Sequence, residues 1–206
     1  MPLAFPSHQG LVLPLWRRWP RHFDLLALCV GAAMPDVVDG VIGLTRGRLG
    51  QSLGHSLAGL VALCLPGGLL VSWLARRVAQ RLAPAGLPGR ALHWLLRGVP
   101  DAWPPRPAGK DARGRPSRFA LTSLSVAAGA LSHLCFDLAS HGSFPWLAPW
   151  LDQARIFPSW WYGGWFEVRL PGYAEPYPFG PHAVVWCLLS ITGGVLFFVR
   201  PRRGAG

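Results

Sequence analysis

Apolar residues gather along this chain into four windows, residues 25–44, 53–75, 119–139 and 181–199, separated by stretches rich in Arg, Pro, Gly or Trp. Each window is close to the ~20 residues that a helix needs to cross a bilayer. The first is the most broken, because Pro35, Asp36 and Asp39 interrupt it and Pro35 is placed to start a fresh helical segment. Ahead of it, residues 1–24 form a short amphipathic piece with Ser7 as its N-cap, and Pro14 and Pro20 keep that piece from being one long helix. The pattern predicts an all-α polytopic membrane protein, a single membrane domain over residues 1–206 with about four transmembrane helices and a short N-terminal helix. No internal repeat is visible, which argues against a solenoid or an inverted-repeat transporter.

Composition agrees with the pattern. Of 206 residues, 51% are hydrophobic and 14% charged, against roughly 25% charged in an ordinary soluble domain. The net charge of +11 is unevenly placed: residues 76–118 carry ten Arg or Lys against Asp101 and Asp111, whereas 140–180 hold only Arg155 and Arg169 against Asp152, Glu167 and Glu175. Such asymmetry is what the positive-inside rule produces. It places 76–118 and both termini in the cytoplasm and 140–180 outside. The basic loop starts as a helix, "WLARRVAQRL", and passes into a Pro/Gly/Arg linker expected to touch anionic lipid. Nothing interleaves aromatic with basic residues there, so nucleic acid is not expected as a partner. The outer loop holds Trp146, Trp150, Trp160, Trp161 and Trp165 and should lie along the membrane interface. Cys29, Cys64, Cys135 and Cys187 fall one to a window with no CxxC spacing, as small hydrophobes do. A signal peptide at the N-terminus fits poorly, with too long a basic region and too short an apolar core.

The chemistry lies in polar residues within the apolar windows. Of nine carboxylates in the chain, Asp36, Asp39 and Asp137 sit inside expected spans, where an unpaired ionisable group costs several kcal/mol and a functional site is the default explanation. In "GALSHLCFDLASHG", His133, Asp137 and His141 follow at intervals of four and share one helical face. His55, in "QSLGHSLAGL", opens the second span. By the topology above, these His and Asp residues meet at one membrane depth. Imidazole and carboxylate are ligands for zinc and related divalent ions. His133 and Asp137 can hold one ion, while His141, about 12 Å further along an ideal helix than His133, needs a second metal, a helix end at Ser140 or a role behind the ligands. Asp36 and Asp39 lie at i, i+3, and Asp39 is the expected general base. The plainer alternative is that His–Asp bonds only hold the bundle together. Ser56, Thr122 and Ser132 read as packing groups, His22 and His93 as solvated side chains, and His182 equally as ligand or interface residue.

Four motifs in order, "MPLAFPSHQG", "GAAMPDVVD", "GHSLAG" and "GALSHLCFDLASHG", resemble the bacterial inner-membrane proteins known as membrane-bound metal-dependent hydrolases of the LexA-regulated type. They are still more similar to a related group of unknown function that begins with an MPFTxSHP-like stretch. The resemblance covers roughly residues 1–65 and 120–150. It implies a metal site at His8, Asp36, His55, His133 and Asp137, hydrolytic chemistry and a bacterial inner-membrane location. A more distant likeness to zinc-dependent phospholipases C and nucleases implies phosphoester substrates. The chain departs from the family pattern in "CFDLASHG", where Trp and Thr often precede the last His, and in its long Arg-rich loop. His8 falls on the cytoplasmic side by simple topology but in the site by resemblance. A re-entrant helix over residues 7–16 would reconcile the two.

The expectation is an outer-facing polar cavity that binds one or two divalent metal ions, zinc above all, and hydrolyses a lipid or lipid-linked phosphoester. Membrane lipids are the expected partners. A metal or proton transporter and a non-catalytic protein with a structural His/Asp cluster are the alternatives. The topology is testable: in a background lacking the four native cysteines, Ser143→Cys should react with a membrane-impermeant maleimide in intact cells whose outer layers admit it, and Ala108→Cys only after lysis. The reverse pattern would turn the site to the cytoplasm.

Overall fold

A computed structural model describes residues 7–20, 22–46, 53–81, 117–141, 145–150, 157–169 and 176–199. Most of the basic loop and parts of the Trp-rich loop therefore lie outside the described residues, and so do the expectations made for them.

The chain begins with α1 (Gln9–Arg18) and α2 (Leu25–Arg46). A 3-10 turn at Leu53–His55 leads into a short α3 (Leu57–Gly59), a π-helical turn at Leu60–Cys64 and α4 (Leu65–Arg81). Then come α5 (Arg118–Ser140) and the single turn α6 (Ser159–Tyr162), followed by strands β1 (Phe166–Val168) and β2 (Tyr177–Phe179) and finally α7 (Pro181–Phe198). Among the described residues three helical stretches, Leu25–Arg46, Leu57–Val78 and Arg118–Ser140, are long and apolar enough to cross a membrane. The fourth expected span is a helix too, but at 18 residues and about 1.5 Å per residue it reaches roughly 27 Å, short of a hydrocarbon core of about 30 Å. The fold is mostly helical. Among the described residues its one departure is the antiparallel pair β1–β2, with Phe166 opposite Phe179 and Val168 opposite Tyr177, in a loop whose pattern predicted no strand.

Contrary to the expected break, α2 runs unbroken through Pro35. Proline removes one backbone donor and crowds the preceding turn, a defect that membrane-type helices tolerate when neighbours pack around it. The neighbour here is α5. The two helices run parallel and touch backbone to backbone: a methyl group added at Gly31 would fall on the Val126 carbonyl, and one added at Gly129 would fall on the Leu28 carbonyl and within 2.7 Å of the Ala32 nitrogen. Small residues at such crossings let helices approach where lipid supplies no hydrophobic drive. α4 packs antiparallel beside them, with Gly67 against Met34 and Gly68 against Val126.

Asp24 fixes the lower end of this layer. It caps α2 by accepting from the Ala27 amide (3.2 Å), accepts from Thr122 Oγ1 (3.2 Å) and pairs with Arg76, while its own amide donates to Ser125 Oγ (2.8 Å). Three helices are thereby registered on one buried carboxylate. α1 lies along α7, Gly10 against the Leu189 carbonyl, and Arg17 donates to the last-turn carbonyls Leu196 (2.8 Å) and Val199. Pinning these ends stacks α1 so that the residue before it, His8, reaches the level of α5's histidine.

The glycine contact predicts opposite results at two positions. Gly129→Ala must push α5 from α2 and should cost about 1–3 kcal/mol, as overpacking does. Gly40→Ala, where a Cβ meets nothing within 4 Å, should stabilise α2 by about 0.5–1 kcal/mol. Thermal unfolding in detergent reads both.

Candidate metal centre

Four separate pieces of chain bring their polar side chains to one place. α2 supplies Asp36 and Asp39, the 3-10 turn supplies His55, α5 supplies His133 and Asp137, and His8 enters from the start of α1. His8, Asp39, His55, His133 and Asp137 are buried, and Asp36 is the open member, its side chain 26% exposed.

The hydrogen bonds decide which nitrogen of each ring faces the centre. His133 Nδ1 donates to the Ala32 carbonyl at 2.7 Å, and His55 Nδ1 donates to Asp39 Oδ2 at 2.7 Å. In the neutral rings the other nitrogen, Nε2, therefore carries a lone pair. These two Nε2 atoms face each other at 3.1 Å. Around them stand Asp137 Oδ2, 3.1 Å from His55 and 3.5 Å from His133, and Asp36 Oδ1, 3.3 Å and 3.7 Å away. Two lone pairs and two carboxylate oxygens converge on one spot in a buried interior. Such a set repels itself unless positive charge stands at its middle.

His8 completes the wall. Its ring stacks on His133 with centroids 3.6 Å apart and meets the edge of Phe136 at 5.2 Å, and Nε2 lies 3.9 Å from Asp137 Oδ1. Burial, helped by the neighbouring His133, lowers its pKa to about 3, which keeps the ring neutral and its lone pair available. Ligand atoms of two overlapping sets, His8 with Asp36 and His133, and His55 with His133 and Asp137, lie within 4.8 Å of one another, close enough to hold a metal ion. Together the sets comprise the five residues that the sequence resemblance implies.

The other expected residues stand apart from that core. Asp39 has both oxygens engaged, Oδ2 by His55 and Oδ1 by the Gly54 amide at 2.7 Å, the position of a group that orients a ligand. α5 ends at Ser140, and His141 folds over that end: its Nδ1 lies 3.2 Å from the Asp137 carbonyl and 3.0 Å from Ser140 Oγ, with the Asp137 carboxylate at 3.9 Å. His182 lies at the start of α7 with Nδ1 3.1 Å from the Trp161 carbonyl. Ser56 is an N-cap, accepting from the Gly59 amide at 3.0 Å.

Sequence reasoning overlooked what closes the top of the site. Trp161 Nε1 and Tyr162 Oη donate to the Ala139 (2.6 Å) and Leu138 (3.0 Å) carbonyls, and the Leu57 amide donates to the Trp146 carbonyl at 3.0 Å. The first two satisfy acceptors that every helix leaves open at its C-terminus. Part of the Trp-rich loop thus caps α5, although Trp150, Trp160 and Trp165 are exposed as interface anchors would be. An available signal was the cluster of indole and phenol donors in the loop that follows the helix.

Fold and site together define a helical protein of membrane type, built around a buried His/Asp cluster. The chain belongs to the family described as a domain of unknown function, DUF4184, whose model matches residues 1–164. That span holds all the cluster residues and ends before α7. No curated protein and no solved structure matches the chain. The family description names no activity, so the hydrolase chemistry implied by the sequence resemblance has to be argued from the cluster itself.

If Asp39 orients His55, Asp39→Asn turns an amide donor toward either the His55 Nδ1–H or the Gly54 N–H. Divalent-metal affinity, measured by competition with a chromogenic chelator, should fall about 10- to 100-fold, with the helical content unchanged.

Proposed function

We propose that this protein is a membrane-embedded metal-dependent hydrolase whose His/Asp cluster holds a divalent ion, zinc by the character of its donors, and acts on a lipid or lipid-linked phosphoester. The observation that carries the reading is the pair of Nε2 atoms facing each other at 3.1 Å, with their Nδ1 atoms already committed to Ala32 and Asp39. Hydrogen bonding between neutral side chains does not account for two opposed acceptors; a positive charge between them does, as a proton on one ring or as a metal ion, and the convergence of two carboxylates and a third histidine on the same spot favours the ion. Two histidines and a carboxylate form a known catalytic zinc set that leaves one position open.

His55, His133 and Asp137 would hold the ion, with His8 and Asp36 at its flanks. The ion would supply Lewis-acid activation of water and of a phosphoryl oxygen. Asp39 keeps His55 in the required tautomer. The proton acceptor then falls to Asp36, the most open carboxylate of the cluster, in place of Asp39. Stacked on His133, His8 excludes water from the inner side. A polar site enclosed by helices of spanning length, next to a loop that bonds the end of α5 and carries exposed tryptophans, suits a substrate presented at headgroup level. On this reading α1 is re-entrant, α7 completes a fourth crossing, the termini are cytoplasmic, and the site opens to the outside of a bacterial inner membrane.

Purified protein should contain about one zinc per chain by mass spectrometry, and His133→Ala with Asp137→Ala should remove it, while His22→Ala keeps it. Because proton and metal compete for His55 Nε2, affinity should fall as the pH is lowered. Asp36→Asn should retain metal and lose phosphodiester hydrolysis in liposomes. Unchanged metal in the double variant would refute the site, and metal flux into proteoliposomes without hydrolysis would point to a transporter.

A further inference from the structure

The stack of His8 on His133 limits how the cluster can be filled. An imidazole nitrogen offers its lone pair in the plane of its ring. The two planes are nearly parallel, at 12°, with centroids 3.6 Å apart. An ion about 2.0–2.1 Å from His133 Nε2 and in the plane of that ring therefore stands roughly 3–4 Å from the plane of His8. By distance alone the two histidines could share an ion, but their planes prevent it. A lone pair of His8 can serve only a second spot, in the plane of its own ring.

Asp137 joins the two spots. Its Oδ2 lies 3.1 Å from His55 Nε2 and 3.5 Å from His133 Nε2, whereas Oδ1 lies 3.9 Å from His8 Nε2. One carboxylate oxygen thus faces each position, as in a ligand that bridges two cations. His55 and His133 each commit Nδ1 to an oxygen, but the His8 ring keeps both nitrogens: Nδ1 is buried without a hydrogen-bond partner, and Nε2 is too far from Asp137 for a hydrogen bond. The His8 residue is only 5% exposed. Asp36, with a ligand atom within 4.8 Å of one on His8, borders the same spot from the open side. His141 Nδ1 lies 3.9 Å from Asp137 Oδ1 but is turned to the Asp137 carbonyl and Ser140 Oγ.

We propose that the cluster is a two-metal centre: a second divalent cation sits between His8 and Asp137 Oδ1, about 3.5–4 Å from the ion on His55, His133 and Asp137 Oδ2. The assignment rests on that first ion, the one in the proposed function. Held from inside the bundle by His8 and one oxygen of Asp137, the second position is the weaker and fills after the first. Two ions at that spacing clamp the attacking and leaving oxygens of an in-line displacement, which fits a phosphoester better than a carboxylic ester.

Full-length protein in detergent, stripped of metal with a chelator, is titrated with Co²⁺, which accepts the same nitrogen and oxygen donors as zinc, and read by calorimetry and electron paramagnetic resonance. The parent should take up two ions in two steps. The first should give the signal of an isolated ion, and the second should diminish that signal, where two independent ions would double it. His8→Phe keeps an aromatic ring on His133 and removes the nitrogens, so it should keep the first step and lose both the second step and the coupling. His133→Ala with Asp137→Ala should lose both steps. Unchanged helical content shows that the variants are folded. No uptake by the parent would sink the metal reading itself and the pair with it. A single step in the parent, a second ion without coupling, or coupling that survives in His8→Phe would overturn the pair and leave the first ion standing. Loss of the first step in His8→Phe would put His8 on the first ion and overturn the pair as well.

Discussion

Everything at the centre of this protein depends on how closely α2 and α5 approach. With Gly31 under Val126 and Gly129 under Leu28, the two backbones run in contact, and the side chains one turn further along have nowhere to go but toward each other. That contact presses His133 against the Ala32 carbonyl and brings Asp36 within reach of His133 and, through the turn, of His55. A pair of helices separated by larger side chains would carry the same polar residues and leave them as scattered defects in an apolar bundle.

Two buried carboxylates show what low dielectric demands and how differently the demand is met. Asp24 is surrounded by a guanidinium, a hydroxyl and an amide, all donors, and is complete as it stands. Asp137 is surrounded by the acceptor faces of rings whose donor faces are turned outward to Asp39 and Ala32. The first arrangement is structural. The second puts the histidine donors to work elsewhere and leaves electron pairs facing inward, an arrangement that serves a bound cation better than it serves packing.

The sequence carried much of this, and the reasons are local. Carboxylates are rare enough in apolar windows that Asp36, Asp39 and Asp137 drew attention at once, and the spacing of His133 and Asp137 sets a helical face by geometry alone. The partner of each residue was not legible, because it depends on which helix lies beside which. Asp39 looks like a free acid in the sequence and becomes the support of His55 only when the Leu53–His55 turn folds over it. Asp24 drew no notice at the edge of a basic segment, since its meaning lies in Arg76, Thr122 and Ser125, which are 52, 98 and 101 residues away. The strand pair was missed because two three-residue strands leave no periodicity to detect. The length of α7 follows from where Gly180 and Val199 leave helical geometry, which hydropathy alone does not mark.

The π-helical turn at Leu60–Cys64 follows His55 by one turn. A helix that takes in one surplus residue rotates everything beyond it by about 100°. The orientation of α4, including the face that meets Met34 and Val126 and the direction in which Arg76 leaves the helix, is thus set at the metal end of the molecule. Excising a single residue from this turn would act as a phase change: with His55 held in place, Arg76 would point about a third of a turn away from Asp24. The spacing between the two ends therefore behaves as an indivisible unit, tolerant of side-chain exchange but not of insertion or deletion.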